Sequence, residues 1–209
     1  VALLCQTIIM PAACFLIVKA FGLGPELAVG LMLLAATPGG ATANIYSHLA
    51  GGDVALNITL TAINSVLSLF MLPLILGFSL HYFADTDKAI PQQTGKGVQT
   101  LAIIMIPVLI GMYLRHLKPV LASIMDRPVK VLSALFLAGI TAYVLYSQWD
   151  MLIKHFVALG SAVILFNTLS LVTGYMIALW MRLENRQAIA VAMEVGVHNS
   201  ALAIGLARA

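Results

Sequence analysis

The sequence predicts an all-α polytopic membrane fold in which two discontinuous helices form an inverted repeat, and three observations predict it. Of the 209 residues, 61% are hydrophobic and only 9% charged, and the mean hydropathy is +1.01, which leaves too little charge to cover a water-soluble globule. The apolar residues fall in seven runs, each near the ~20 residues that cross a bilayer as a helix. Two of these runs are interrupted midway by glycine, proline and polar residues, which is tolerated at that depth only where protein or a watery cavity satisfies the freed backbone. The net charge of +3 does not point to nucleic acid, because Lys and Arg occupy short connections rather than one amphipathic face.

The first run, 1–21, carries Gln6 one turn inside and then Met10-Pro11-Ala12. It opens at Val1 within apolar sequence, without a basic n-region or cleavage site, so a natural start upstream is expected. Cys5 and Cys14 fall on opposite helix faces about 13 Å apart and read as packing residues rather than a disulfide. The second run, 26–49, is apolar to Ala36 and then reads Thr37-Pro38-Gly39-Gly40-Ala41-Thr42-Ala43-Asn44. Proline removes a donor and the glycines loosen the backbone, so unwinding near 37–41 is expected. The third run, 54–82, places Asn57 and Thr61 one turn apart on one face. Runs 97–115, 128–148 and 155–181 are uninterrupted and read as packing or lipid-facing helices. The last, 187–209, contains Glu194-Val195-Gly196-Val197-His198-Asn199-Ser200 at its middle.

The joints at 22–25, 51–53, 85–96, 116–127, 149–154 and 182–186 are all too short to fold as a soluble domain. Tyr82, Phe83, Tyr113, Tyr143, Tyr146, Trp149 and Trp180 cluster near the run ends, as an interfacial belt requires. Arg115, Lys118, Arg127 and Lys130 in one joint, and Arg182 and Arg186 in another, mark those joints as cytoplasmic. Val1 then lies on the cytoplasmic side, Ala209 faces outward, and Lys19, Lys88, Lys96 and Lys154 lie outside.

Each interrupted run follows an uninterrupted one, and the orientation makes the first run inward and the second outward, hence the inverted repeat. A carboxylate at mid-membrane depth costs about 2.5–3.5 kcal/mol and usually serves a pathway or a bound ion. Around Glu194 the polar candidates Gln6, Asn44, Asn57 and Thr61 are oxygen donors, a set suited to a hard cation such as Na⁺.

The stretch Pro38 to Asn44, followed by Gly52-Asp53-Val54-Ala55-Leu56 and Thr61, resembles the bile acid:sodium symporter family. Glu194 through Ala203 resembles its second signature, and Gln6 with Met10-Pro11-Ala12 the start of its core domain. The resemblance implies a ten-helix fold with a core of two inverted three-helix repeats beside a panel domain, of which this chain supplies the third to the ninth helix. Residues 1–83 become the first core repeat, 97–148 the panel helices, and 155–209 an incomplete second core repeat broken near 194–198. One Na⁺ site would use Asn44, Asn57, Thr61 and Glu194. A second would use Gln6, Glu194, Val195, Val197 and His198, in part through backbone carbonyls. An organic anion would lie near Ala41 and Asn199.

Three positions depart from the family pattern: Ala43 and Asn57 stand where small hydroxyl residues are usual, and His198 where glutamine is usual. The expected function is sodium-coupled import of an organic anion by a multi-pass protein of the inner (plasma) membrane, with Na⁺ as coupling ion and lipid and the anion as partners. A proton-coupled carrier using Glu194 and His198 is the alternative. An intramembrane enzyme is remote, because His198 and Ser200 are two positions apart and face different sides of a regular helix, and no H-E-x-x-H spacing occurs.

Overall fold

The computed structural model describes residues 1–83, 110, 113, 114, 117–200 and 203, and among these the chain is helical with no strand. Helix α1, Ala2–Ala20, contains a π-turn at Cys5–Ile9. It is followed by α2, Pro25–Ala36, α3, Ala41–Leu49, α4, Val54–Phe83, α5, Pro119–Ser147, α6, Trp149–Trp180, and α7, Asn185–Gly196. Among the described residues, Ala2–Ala20, Val54–Phe83 and Leu152–Trp180 are long and apolar enough to cross a membrane. Their outward faces carry large apolar side chains such as Leu74, Val157 and Trp180, which lipid can solvate and water cannot.

Local chemistry places each boundary. Helix α1 ends where Gly22 adopts φ 57° and the N–H groups of Gly22 and Leu23 donate to the Lys19 and Val18 carbonyls, a left-handed stop that glycine accepts without strain. Pro25 then opens α2 at a position where its missing N–H costs nothing. Thr37 is pushed to ψ 144° by the proline that follows it, so α2 stops there. Asp53 starts α4 by accepting the Leu56 N–H at Oδ1, 3.0 Å. Glu184 and Gln187 form a reciprocal capping box at the start of α7.

The same pattern recurs 160 positions later. Arg182 takes φ 59° as Gly22 takes 57°, and Leu183 donates to Ala178 as Leu23 does to Val18. A twelve-residue helix and then a break follow in both places. Cys14 donates to the Leu31 carbonyl, while at Gly174 a Cβ would stand 3.2 Å from the carbonyl oxygen of Val191. One buried cluster joins the two regions: Cys5, Met10, Cys14 and Val18 of α1 pack with Leu31 and Met32 of α2, Phe166 of α6, and Val191 and Val195 of α7.

Two expected joints are corrected. The polar stretch at 149–154 is the first turn and a half of α6, and only Gln148 separates it from α5. Most of the stretch at 116–127 is likewise helical, since α5 begins at Pro119 and continues through Pro128. A helix satisfies its backbone internally whatever its side chains, so polar residues there mark a change of solvent and not the end of the helix. The break expected near 194–198 is narrower: α7 continues through Gly196, and the non-helical residues are 197–199. The joint at 85–96, most of the run at 97–115 and nearly all of 201–209 lie outside the described residues.

Candidate functional site

The two interruptions lie against each other. Gly39 and His198 form an isolated antiparallel bridge, and the Asn199 N–H donates to the Pro38 carbonyl at 3.1 Å. Each break thus supplies partners for backbone groups that the other has freed, as a buried backbone requires. Side-chain amides from the neighbouring helices complete the ends: Gln6 Nε2 donates to the Thr37 carbonyl at 2.8 Å, and Asn167 Nδ2 to the Gly196 carbonyl at 2.8 Å.

Glu194, 1% exposed, is the acid at this junction. Oε1 accepts the Gly39 N–H at 3.3 Å and Asn64 Nδ2 at 3.0 Å, and Oε2 accepts the Thr61 hydroxyl. All three donors are neutral, and among the described residues no cationic side chain pairs with this carboxylate. Gly39 is required by close approach, since a Cβ there would overlap the Glu194 carboxylate.

Among the described residues, four amide oxygens are buried without donors, Gln6 Oε1, Asn44 Oδ1, Asn57 Oδ1 and Asn64 Oδ1, and the Asn64 amide is bonded to the acid itself. Three of these amides have their orientation fixed, because their nitrogens donate to atoms that can only accept. Gln6 reaches the Thr37 carbonyl, Asn57 the Ala190 carbonyl at 2.8 Å, and Asn64 the carboxylate. The oxygens are therefore the free ends, and buried acceptors without donors, together with a carboxylate that has no cationic partner among the described residues, call for a cation or for water.

The remaining expected residues are distributed around this junction. Asn44 sits on α3, half-buried, with no bond to Glu194. Asn57 is fully buried and holds α7 rather than the carboxylate. Val195 packs its side chain in the common core, and Val197 is extended at φ −101°, ψ 92°. The His198 ring stacks on Phe166, with centroids 5.0 Å apart. Its Nδ1 lies 3.5 Å from Gln6 Nε2, and its Nε2 is buried without a partner. Ala41 opens α3 beside the first break, and Asn199 lies in the second break, where its Cγ would stand 3.5 Å from a Cβ at Gly40. A cavity of about 670 Å³ adjoins the junction, lined by Tyr46, Phe166, Asn167, Val197 and His198 among others. Ser200 is exposed.

Sequence reasoning missed Asn64 and Asn167. Asn57, Thr61 and Asn64 recur at i, i+4 and i+7, so the helical period that paired the first two reaches the third as well. Asn167 carried no such signal, since its partner is a carbonyl freed only by the break in α7.

Apolar spanning helices, two interruptions in contact and a carboxylate compensated only by neutral donors define a class, the multi-pass membrane proteins with unwound helices at a buried polar centre. The model of the Sodium Bile acid symporter family matches residues 1–181, and the chain belongs to that family. The chain is 30% identical to the mouse P3 protein over 208 residues, 98% of this chain and 43% of that protein. It is 29% identical to the ileal sodium/bile acid cotransporter of Cricetulus griseus over 97% of this chain and 58% of the relative. An uncharacterized sodium-dependent transporter of Bacillus subtilis is 27% identical over all of this chain and 64% of its own length. The chain thus spans roughly half the length of the curated relatives it matches. The family is one of transporters, not enzymes.

Proposed function

We propose that this protein is a sodium-coupled symporter that imports an organic anion across the plasma membrane. The observation that carries the reading is Glu194: a carboxylate 1% exposed, bonded among the described residues only to neutral donors, one of them the Asn64 amide, whose own oxygen is buried without a donor. A buried charge needs a counter-charge, and a hard monovalent cation offers one without a fixed protein partner. The names of the relatives support the same reading, since several describe sodium-dependent transport.

In this reading Asn44, Asn57, Thr61 and Glu194 hold one Na⁺. Gln6, Glu194, Val195, Val197 and His198 hold a second, partly through carbonyls, and the anion rests near Ala41 and Asn199. Residues 1–83 and 155–209 act as two inverted core repeats that rock against the panel helices at 97–148, exposing the junction to each side in turn. The recurrence at an offset of 160 positions, from Gly22 to Arg182, supports the repeat. Na⁺ at Glu194 neutralises the acid and orders both breaks, while the N-terminus of α3 offers partial positive charge to the anion. Two Na⁺ with one monovalent anion would gain about 2.3 kcal/mol per 100 mV of membrane potential.

The test is uptake of organic anions by the reconstituted full-length protein with Na⁺ replaced by K⁺. Loss of uptake is expected. Uptake that persists in K⁺ and follows a pH gradient would transfer the coupling to protons on Glu194 and His198.

A further inference from the structure

Asn64 belongs to none of the expected ligand sets, yet it is bonded to the acid at the centre of the site. It is 2% exposed and lies on α4 about 4.5 Å along the axis beyond Thr61, on the same buried face as Asn57 and Ser68. Its Nδ2 donates to Glu194 Oε1 at 3.0 Å. The reverse orientation would set its oxygen against a carboxylate oxygen, so the donor role is fixed. Its Oδ1 is left as a buried acceptor without a partner. The Gly39 N–H shares Oε1 with Asn64, whereas among the described residues Oε2 has only the Thr61 hydroxyl. The two carboxylate oxygens are therefore unequal: one is held by two donors, and the other is free to accept more.

We infer that Asn64 is a positioning residue that sets the cation preference of the Glu194 site: its neutral amide holds Oε1, turns Oε2 toward the ion and keeps the site at a single negative charge. The inference rests on the sodium reading above, and it explains why an amide stands where an acid of the same shape would fit. A second carboxylate at that distance would repel the first and call for a divalent ion.

The experiment uses the purified full-length protein and its Asn64→Leu, Asn64→Asp and Ser68→Ala variants, measuring thermal stabilisation by Na⁺ and Ca²⁺ together with uptake against Na⁺ concentration. For the wild type, stabilisation by Na⁺ and not by Ca²⁺ is expected. Asn64→Leu should raise the half-saturating Na⁺ concentration about ten-fold or more, as the loss of a hydrogen bond to a charged group implies, with maximal uptake at saturating Na⁺ retained. Asn64→Asp should gain stabilisation by Ca²⁺. Ser68→Ala, whose hydroxyl is bonded to the Ser65 carbonyl, should leave the Na⁺ dependence unchanged.

An unchanged Na⁺ dependence in Asn64→Leu, or an equal shift in Ser68→Ala, overturns the inference and leaves the sodium reading standing. If Asn64→Leu does not fold, the isosteric Asp variant decides alone, and its failure to respond to Ca²⁺ overturns the inference. A wild type indifferent to Na⁺ sinks both readings together.

Discussion

The backbone N–H of Gly39 donates to Oε1 of Glu194 although the two residues stand 155 positions apart in the chain. The contact ties the first break to the acid that precedes the second, and it leaves no room for a side chain at position 39. Gly39→Ala should therefore displace the carboxylate, at a cost of about 1–3 kcal/mol as overpacking usually brings, and abolish Na⁺-dependent uptake. Gly30→Ala, where a Cβ meets nothing within 4 Å in the interior of α2, should be neutral or stabilise by about 0.5–1 kcal/mol. Thermal unfolding and uptake of the two variants, side by side, check both statements.

Glu194→Gln removes the charge for which a cation would compensate. If Na⁺ binds the folded protein alone, the wild type gains about 2.7 kcal/mol at a hundred times its dissociation constant. The Gln variant should lose that gain and unfold at the same temperature in Na⁺ and in K⁺. Retention of a full Na⁺-dependent shift would remove Glu194 from the ion site.

Asn167 and Gln6 each serve a carbonyl at the end of a half-helix. Asn167→Leu leaves the Gly196 carbonyl without its donor, and Gln6→Leu does the same to Thr37. Each should destabilise by about 1–3 kcal/mol, the cost of a buried polar group left unpaired. Only Gln6→Leu should also weaken the response to Na⁺, because the Gln6 amide oxygen is buried without a donor, whereas Asn167 is exposed. Equal Na⁺ responses in both variants would count against Gln6 as a ligand.

Arg182 occupies the left-handed position that Gly22 fills in the first half. An L-residue there carries a steric cost of about 1–2 kcal/mol that glycine avoids, and the side chain is exposed. Arg182→Gly should stabilise the protein by about 1 kcal/mol, less whatever flexibility glycine adds to the unfolded chain, without altering uptake. A lower unfolding temperature would contradict this account of the turn.

Much of the site was legible because membrane depth makes polar residues conspicuous. Glu194, Asn57 and Thr61 stand out against apolar neighbours, and Pro38 with Gly39 and Gly40 announces a loss of helix. Asn64 could have been found by following the helical period from Asn57 through i+4 to i+7. Asn167 could not, because an asparagine in an uninterrupted helix gives no sign that the carbonyl it serves will be freed in a different helix. The polar residues at 149–154 misled for a related reason: hydropathy reports solvent, whereas helix continuity depends on backbone bonds that Trp149–Trp180 makes internally.

By itself, the amino-acid sequence determined that this chain spans a membrane more than once and that two of its segments lose helical form, since transfer free energy and proline stereochemistry act residue by residue. Only the tertiary structure decided that the two unwound segments pair with each other, that Gly39, Thr61 and Asn64 are the donors to Glu194, and which amide oxygens are left unsatisfied. Those choices depend on which groups packing brings within hydrogen-bonding distance once water is excluded, and spacing along the chain does not encode that distance.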